Sequence, residues 1–157
     1  MPLPAPRLLL ALALAATPAL AAGPDEAAVG ACLARAEEAG GDGRSCIGVV
    51  ANPCLERGRD PSTAGMVACF GRESAVWDAR LNAVYRAAMT ALPPATAQKL
   101  KGAQRSGIET RDLSCGFYDA LHEGGTIARP LAADCTNRAT AERYFYLKGI
   151  ADDAGGR

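Results

Sequence analysis

The sequence predicts an all-α fold, and three observations carry that reading. Residues 66–92 contain no proline, and their larger apolar side chains, Met66, Phe70, Trp77, Leu81, Val84 and Leu92, recur at helical spacing. Pro93-Pro94 then breaks the chain, and a second periodic stretch runs over 95–121. No stretch alternates with the two-residue period of a half-buried strand, and nothing repeats internally.

The chain has 157 residues, enough for one domain with a small core. Residues 1–22 read as a cleaved signal peptide. Arg7 gives a positive start, Leu8 to Ala16 an apolar run, Thr17-Pro18 a break, and Ala19-Leu20-Ala21 small residues at a cleavage point. The run is too short to span a bilayer. The first cysteine is Cys32, so no lipidation cysteine sits at the cleavage point. The expectation is a soluble periplasmic or secreted protein without a membrane anchor.

Removing Arg7 leaves one fewer basic residue than the 17 acidic ones, a net charge near −1. Near-neutrality argues against nucleic acid, which needs clustered Lys and Arg. There is no polybasic tail for a membrane surface. Six cysteines in an exported chain read as three disulfides, with fifteen pairings open. With no C-x-x-C pair and one histidine, His122, no metal site and no cofactor are expected.

Residues 23–65 form a cysteine-rich helical extension. Pro24, Asp25 and Glu26 suit a first helical turn, Val29, Cys32, Leu33 and Ala36 share a face, and Gly40-Gly41 ends the helix. Ser45 to Ala51 reads as one or two helical turns and Cys54 to Arg57 as one more, on either side of Asn52-Pro53. Gly58 to Thr63 is a loop in which Asp60 can cap the next helix, with Pro61 at its first position.

Residues 66–150 form the main domain. The helices 66–92 and 95–121, joined by a tight turn, predict a long antiparallel hairpin. The second helix carries an inner stripe of Leu100, Gln104, Ile108, Arg111, Cys115 and Tyr118. The hairpin's outer faces read as charged and alanine-rich. His122 to Ala128 is a loop around Gly124-Gly125, and Pro130 starts a short turn over Arg129 to Cys135. A last helix covers about 136–150, with Thr140, Arg143, Tyr144 and Leu147 on one face, and 151–157 should fray as a flexible tail.

Taken together, Met66-x-x-Cys69, Glu73, Trp77-Asp78-x-x-Leu81-Asn82-x-x-Tyr85, Leu100-x-x-x-Gln104-Arg105, Arg111-Asp112-x-x-Cys115, Gly124-Gly125-Thr126, Cys135, Thr140-x-x-Arg143 and Leu147 form a pattern. Over residues 66–148 this pattern resembles the LprI N-terminal domain family. The resemblance implies a small exported bacterial protein, and lysozyme inhibition as its function. Two departures stand out: Gly107 replaces the family's usual tryptophan, and the lipidation cysteine of the founding inhibitor is missing. The family pattern keeps Cys115 and Cys135, and the loop between them supplies a reversal, so Cys115–Cys135 is the expected disulfide. Short-range pairing in the loop-rich extension favours Cys54–Cys69 and Cys32–Cys46.

Glu73, Asp78, Asn82, Gln104, Arg111, Asp112 and Arg143 form a polar set on helices that should pack together. Buried ion pairs are more often structural than catalytic, so the set reads as a network fixing helix register. Glu73 lies on an apolar face and needs a partner, for which Arg111 and Arg143 are the candidates; for Arg111 the expected acid is Glu73, with Asp78 as the alternative. No catalytic residue is expected. Glu73 and Asp78 lie five apart on one helix and point in different directions, unlike a glycosidase's acid and base. His122 has no nucleophile motif beside it.

Tyr144-Phe145-Tyr146 cannot all face inward on one helix. The candidate partner-binding residues are His122, Gly124, Gly125 and Thr126, in a loop beside a disulfide. The reading is an exported binding protein acting on a lysozyme-type glycosidase or other envelope protein. The alternative is a structural or stress-related envelope protein with no enzyme target.

Overall fold

The computed structural model describes residues 23–58 and 60–156. The signal-peptide reading falls on 1–22, outside the described residues. Five α-helices follow in order: α1 Pro24–Glu38, α2 Ala51–Arg57, α3 Thr63–Ala91, α4 Pro94–Leu121 and α5 Ala128–Gly155. A 3-10 turn, Arg44–Cys46, lies between α1 and α2. No described residue lies in a strand.

Helix α3 begins where Ser62 caps it, its hydroxyl accepting from the Gly65 amide at 3.1 Å. The cap is therefore Ser62 rather than Asp60. Asp60 instead accepts from the Ser62 amide at 2.9 Å and holds the cap residue in place. Gly65 permits this approach, because a Cβ there would meet the Asp60 carbonyl oxygen at 2.1 Å. The Leu92 amide closes the far end of α3 on Ala88, and Pro93-Pro94 turns the chain directly into α4.

Helix α5 is the hub. It packs along α3 and also receives α4. It starts at Ala128 and continues to Gly155, so the separate turn at 129–135 and the fraying tail after 150 are replaced by one helix. Pro130 falls in the first turn, where its missing amide costs nothing. Lys148 bonds Asp152 at 2.7 Å, an i,i+4 pair that supports the last turns.

The core lies where α1, the 3-10 turn, α3 and α5 meet. Trp77 is fully buried there, with its ring centroid 5.6 Å from that of Tyr144 and 5.7 Å from that of Phe145. Val29, Cys46, Val76, Leu81 and Leu147 close around the cluster. Truncating such an aromatic anchor costs about 3–5 kcal/mol. Of Tyr144-Phe145-Tyr146, the first two turn inward and Tyr146 is exposed. The Arg143 guanidinium lies over the Tyr146 ring at 4.7 Å.

Disulfides tie neighbouring elements. Cys32–Cys46 joins α1 to the 3-10 turn, Cys54–Cys69 joins α2 to α3, and Cys115–Cys135 joins α4 to α5. Ion pairs Arg72–Asp25 and Arg80–Glu26, both at 2.5 Å, dock α1 onto α3. Arg44 reaches Glu142 of α5 at 2.9 Å and covers the Phe145 ring.

Candidate functional site

The polar set divides in two: Asp78, Asn82, Gln104, Arg111 and Arg143 share one cleft, with Asp112 bonded to Arg111, and Glu73 stands apart in the core. Glu73 is fully buried, and its carboxylate accepts five hydrogen bonds. Oε1 receives the Gly48 amide at 2.6 Å, Trp77 Nε1 at 2.9 Å and Asn137 Nδ2 at 3.1 Å. Oε2 receives the Val50 and Ala51 amides, each at 2.8 Å. These two amides open α2, where unpaired N–H groups and the helix dipole favour a negative charge. Gly48 holds φ +100°, a left-handed backbone that turns its amide toward the carboxylate.

Burial pushes the Glu73 carboxyl pKa up. The donors outweigh it, led by the Ala51 amide and followed by Trp77, Gly48 and Asn137, so the pKa is lowered from the ordinary value. No arginine bonds Glu73, which corrects the expected pairing with Arg111 or Arg143. The partners are three backbone amides and two side chains, one of which, Asn137, the sequence reading passed over. Every oxygen lone pair faces a donor inside the core, so the arrangement is an anchor between α3, α5 and the extension.

Arg111 instead donates to Asp112 Oδ1 from Nε at 2.9 Å and from Nη2 at 2.7 Å, and reaches the Thr140 hydroxyl at 3.5 Å. Arg143 Nε donates to Gln104 Oε1 at 2.7 Å, linking α5 to α4. Asn82 donates to Asp78 at 2.9 Å within α3. Asp78, Asn82, Gln104, Arg111 and Arg143 line a cleft of about 130 Å³ between α3 and α4, floored by Ala139 and Thr140 of α5. Gly107 belongs to its wall. A Cβ there would stand 3.2 Å from Arg143 Cζ, so the missing side chain leaves room for the guanidinium.

The loop between α4 and α5 lies at the other end of α4. His122 closes the helix, and Glu123 and Gly124 follow with φ +51° and +70°. The Gly124 amide bonds the Asp119 carbonyl at 2.9 Å and the Glu123 amide bonds that of Ala120 at 3.3 Å. This is the Schellman pattern, with Glu123 where glycine is usual. Gly125 bonds His122 at 2.8 Å and Ala128 bonds Gly125 at 2.9 Å, so the loop is braced by its own backbone. The His122 ring stacks on Tyr118 at 6.3 Å, and Cys115–Cys135 ties the two helices beneath the loop. Glu123, Gly124 and Thr126 are exposed.

The outer face of α4 departs from the charged, alanine-rich surface expected. Leu113, Phe117 and Leu121 stand in solvent, 70%, 61% and 58% exposed, and Ile127 beyond the loop is 48% exposed. Ile108, expected on the inner stripe, is also exposed. The signal was present in the four-residue spacing of 113, 117 and 121, but α4 carries apolar residues on two faces and periodicity does not say which is covered.

Among the described residues, no group of three or more His, Cys, Asp or Glu could hold a metal ion. No described helix is long and apolar enough to cross a membrane. Residues 54–147 match the family model described as "Lysozyme inhibitor LprI". No curated protein matches the chain, and no solved structure does.

Proposed function

The chain belongs to the LprI family of lysozyme inhibitors, and from that premise we propose that it binds a lysozyme-type glycosidase outside the cytoplasm and blocks its substrate groove. Such enzymes hold a pair of carboxylates on either side of the scissile bond. A protein that covers or enters that groove excludes the glycan and needs no chemistry of its own. The Gly124-Gly125-Thr126 loop, with His122 at its base, is the element that meets the groove.

The observation that carries this reading is the bracing of that loop. The His122, Glu123, Gly124 and Gly125 amides are paired within the loop or to the end of α4, and a disulfide ties its two helices. A segment already ordered before contact loses little entropy on binding. Exported disulfide-rich proteins meet such enzymes in the same oxidising compartment.

The test is a turbidity assay of cell-wall lysis with the mature protein and c-type, g-type and i-type lysozymes. Lysis should slow at stoichiometric excess for at least one type. Replacing His122, Glu123 and Thr126 by alanine should abolish the effect with the circular dichroism spectrum unchanged. No slowing for any type would overturn the inhibitor reading, and a folded loop variant as potent as the parent would remove the loop from it.

A further inference from the structure

We propose that the cleft between α3 and α4 binds a small zwitterion of the α-amino-acid class, with its carboxylate against Arg111 and Arg143 and its ammonium against Asp78. This site is independent of the loop reading above. Helical spacing assembles it. Asp78 and Asn82 lie one turn apart on α3, Gln104 and Arg111 two turns apart on α4, and Thr140 and Arg143 share a face of α5. All six line the cleft. Gln104 and Thr140 are 8% and 2% exposed and form its deep end, whereas Asp78 is exposed at the rim.

The deep end holds donors that lack acceptors. Gln104 Oε1 takes the bond from Arg143 Nε, which leaves the Gln104 amide nitrogen with no acceptor among the described residues. Arg143 Nη2 is buried and has no partner among them either. Arg111 Nη1 has only the Thr140 hydroxyl at 3.5 Å, a long contact. Buried donors are normally paired. A carboxylate accepts several such bonds at once and matches the arginine fork.

Charge decides against a simple anion. Three charged side chains line the cleft: Asp78, Arg111 and Arg143. Asp112, outside the lining, engages Arg111 through Nε and Nη2. Glu142, beside Arg143 in sequence, is held by Arg44, and Arg105 and Glu109 lie outside the lining. Two cations and two anions therefore balance. Asp78 accepts only from Asn82 among the described residues. A lone carboxylate meets repulsion at the rim, and a lone ammonium meets two guanidiniums. A ligand carrying both groups on one carbon satisfies both ends. The cleft offers about 130 Å³, and a cavity of about 150 Å³ holds benzene. Glycine or alanine fits within it.

The test is an NMR titration of the isotope-labelled mature protein, at low ionic strength, with glycine, L-alanine, D-alanine, acetate and methylammonium. Glycine or alanine should bind saturably, one per chain, and move the side-chain Nε–H signals of Arg111 and Arg143. Acetate and methylammonium each carry half of the recognised groups and should bind at least about tenfold more weakly, the scale of one charged hydrogen bond. Asp78→Asn alters an exposed rim residue. It should weaken alanine about tenfold and leave acetate as tight or tighter, whereas Arg111→Gln should weaken both. If Arg111→Gln does not fold, Asp78→Asn decides alone. Acetate as tight as alanine, an alanine affinity unchanged by Asp78→Asn, or no saturable binding of any amino acid overturns the proposal.

Discussion

Asn137 donates to Glu73 across 64 residues of chain, its Nδ2 lying 3.1 Å from Oε1. This bond closes the α5 side of a carboxylate whose other donors come from Trp77 and from Gly48, Val50 and Ala51. One acidic side chain thereby holds three parts of the molecule in register without a cation.

Glu73→Gln should be strongly destabilising, because its amide nitrogen would face a backbone donor. The expected loss is about 3 kcal/mol at neutral pH, the scale of charged hydrogen bonds lost in a buried site. The loss should shrink in acid. Glu73 has a lower pKa folded than unfolded, so its contribution is full above the unfolded value and disappears as pH falls through the folded one. Thermal melts of both proteins between pH 7 and pH 2 test this. Parallel curves across that range would count against the anchor.

Arg111 and Glu73 share no bonding partner, since Arg111 engages Asp112 and Thr140. A double-mutant cycle of Arg111→Met with Glu73→Gln should therefore be additive to within about 0.5 kcal/mol. A larger coupling, measured by denaturant unfolding, would mean that the two groups communicate.

Replacing Cys115 and Cys135 by serine should cost about 3 kcal/mol in the chain-entropy description of a loop this long. The α4–α5 loop should lose amide protection first in hydrogen exchange, since it lies between the two half-cystines. Uniform loss across the chain would contradict that order.

Glu123→Gly should stabilise the fold by about 1 kcal/mol, because a non-glycine residue at φ +51° carries steric strain that glycine lacks. Chemical denaturation reads the change directly. A destabilised variant would show that the Glu123 side chain makes a contact worth more than the strain.

The helices were legible because their signals are local. The proline-free period of 66–92 and the Pro93-Pro94 break gave α3, the turn and α4 to within a few residues. The partner of Glu73 was not legible, because the donors are backbone amides, which every residue but proline carries, and only the tertiary path of Gly48 to Ala51 aims them. Helix α5 was read too short because Pro130 and the polar end near Asp152 look like boundaries; first-turn placement and an i,i+4 pair remove both objections. The loop residues His122, Gly124, Gly125 and Thr126 were legible as a turn. The exposed face beside them was not, since coverage of α4 depends on where α5 lies.

The connectivity of the three disulfides has a consequence for how the chain matures. Each cysteine is bonded to its immediate neighbour in sequence: first to second, third to fourth, fifth to sixth, at separations of 14, 15 and 20 residues. An oxidase that joins thiols in their order along the chain makes this set directly, one closed unit after another. Thiol–disulfide exchange to correct a wrong partner is then unnecessary, and the slow reshuffling step that interleaved pairings require is absent from the route. A cell that has an oxidant but no isomerase should still deliver this protein in its native form.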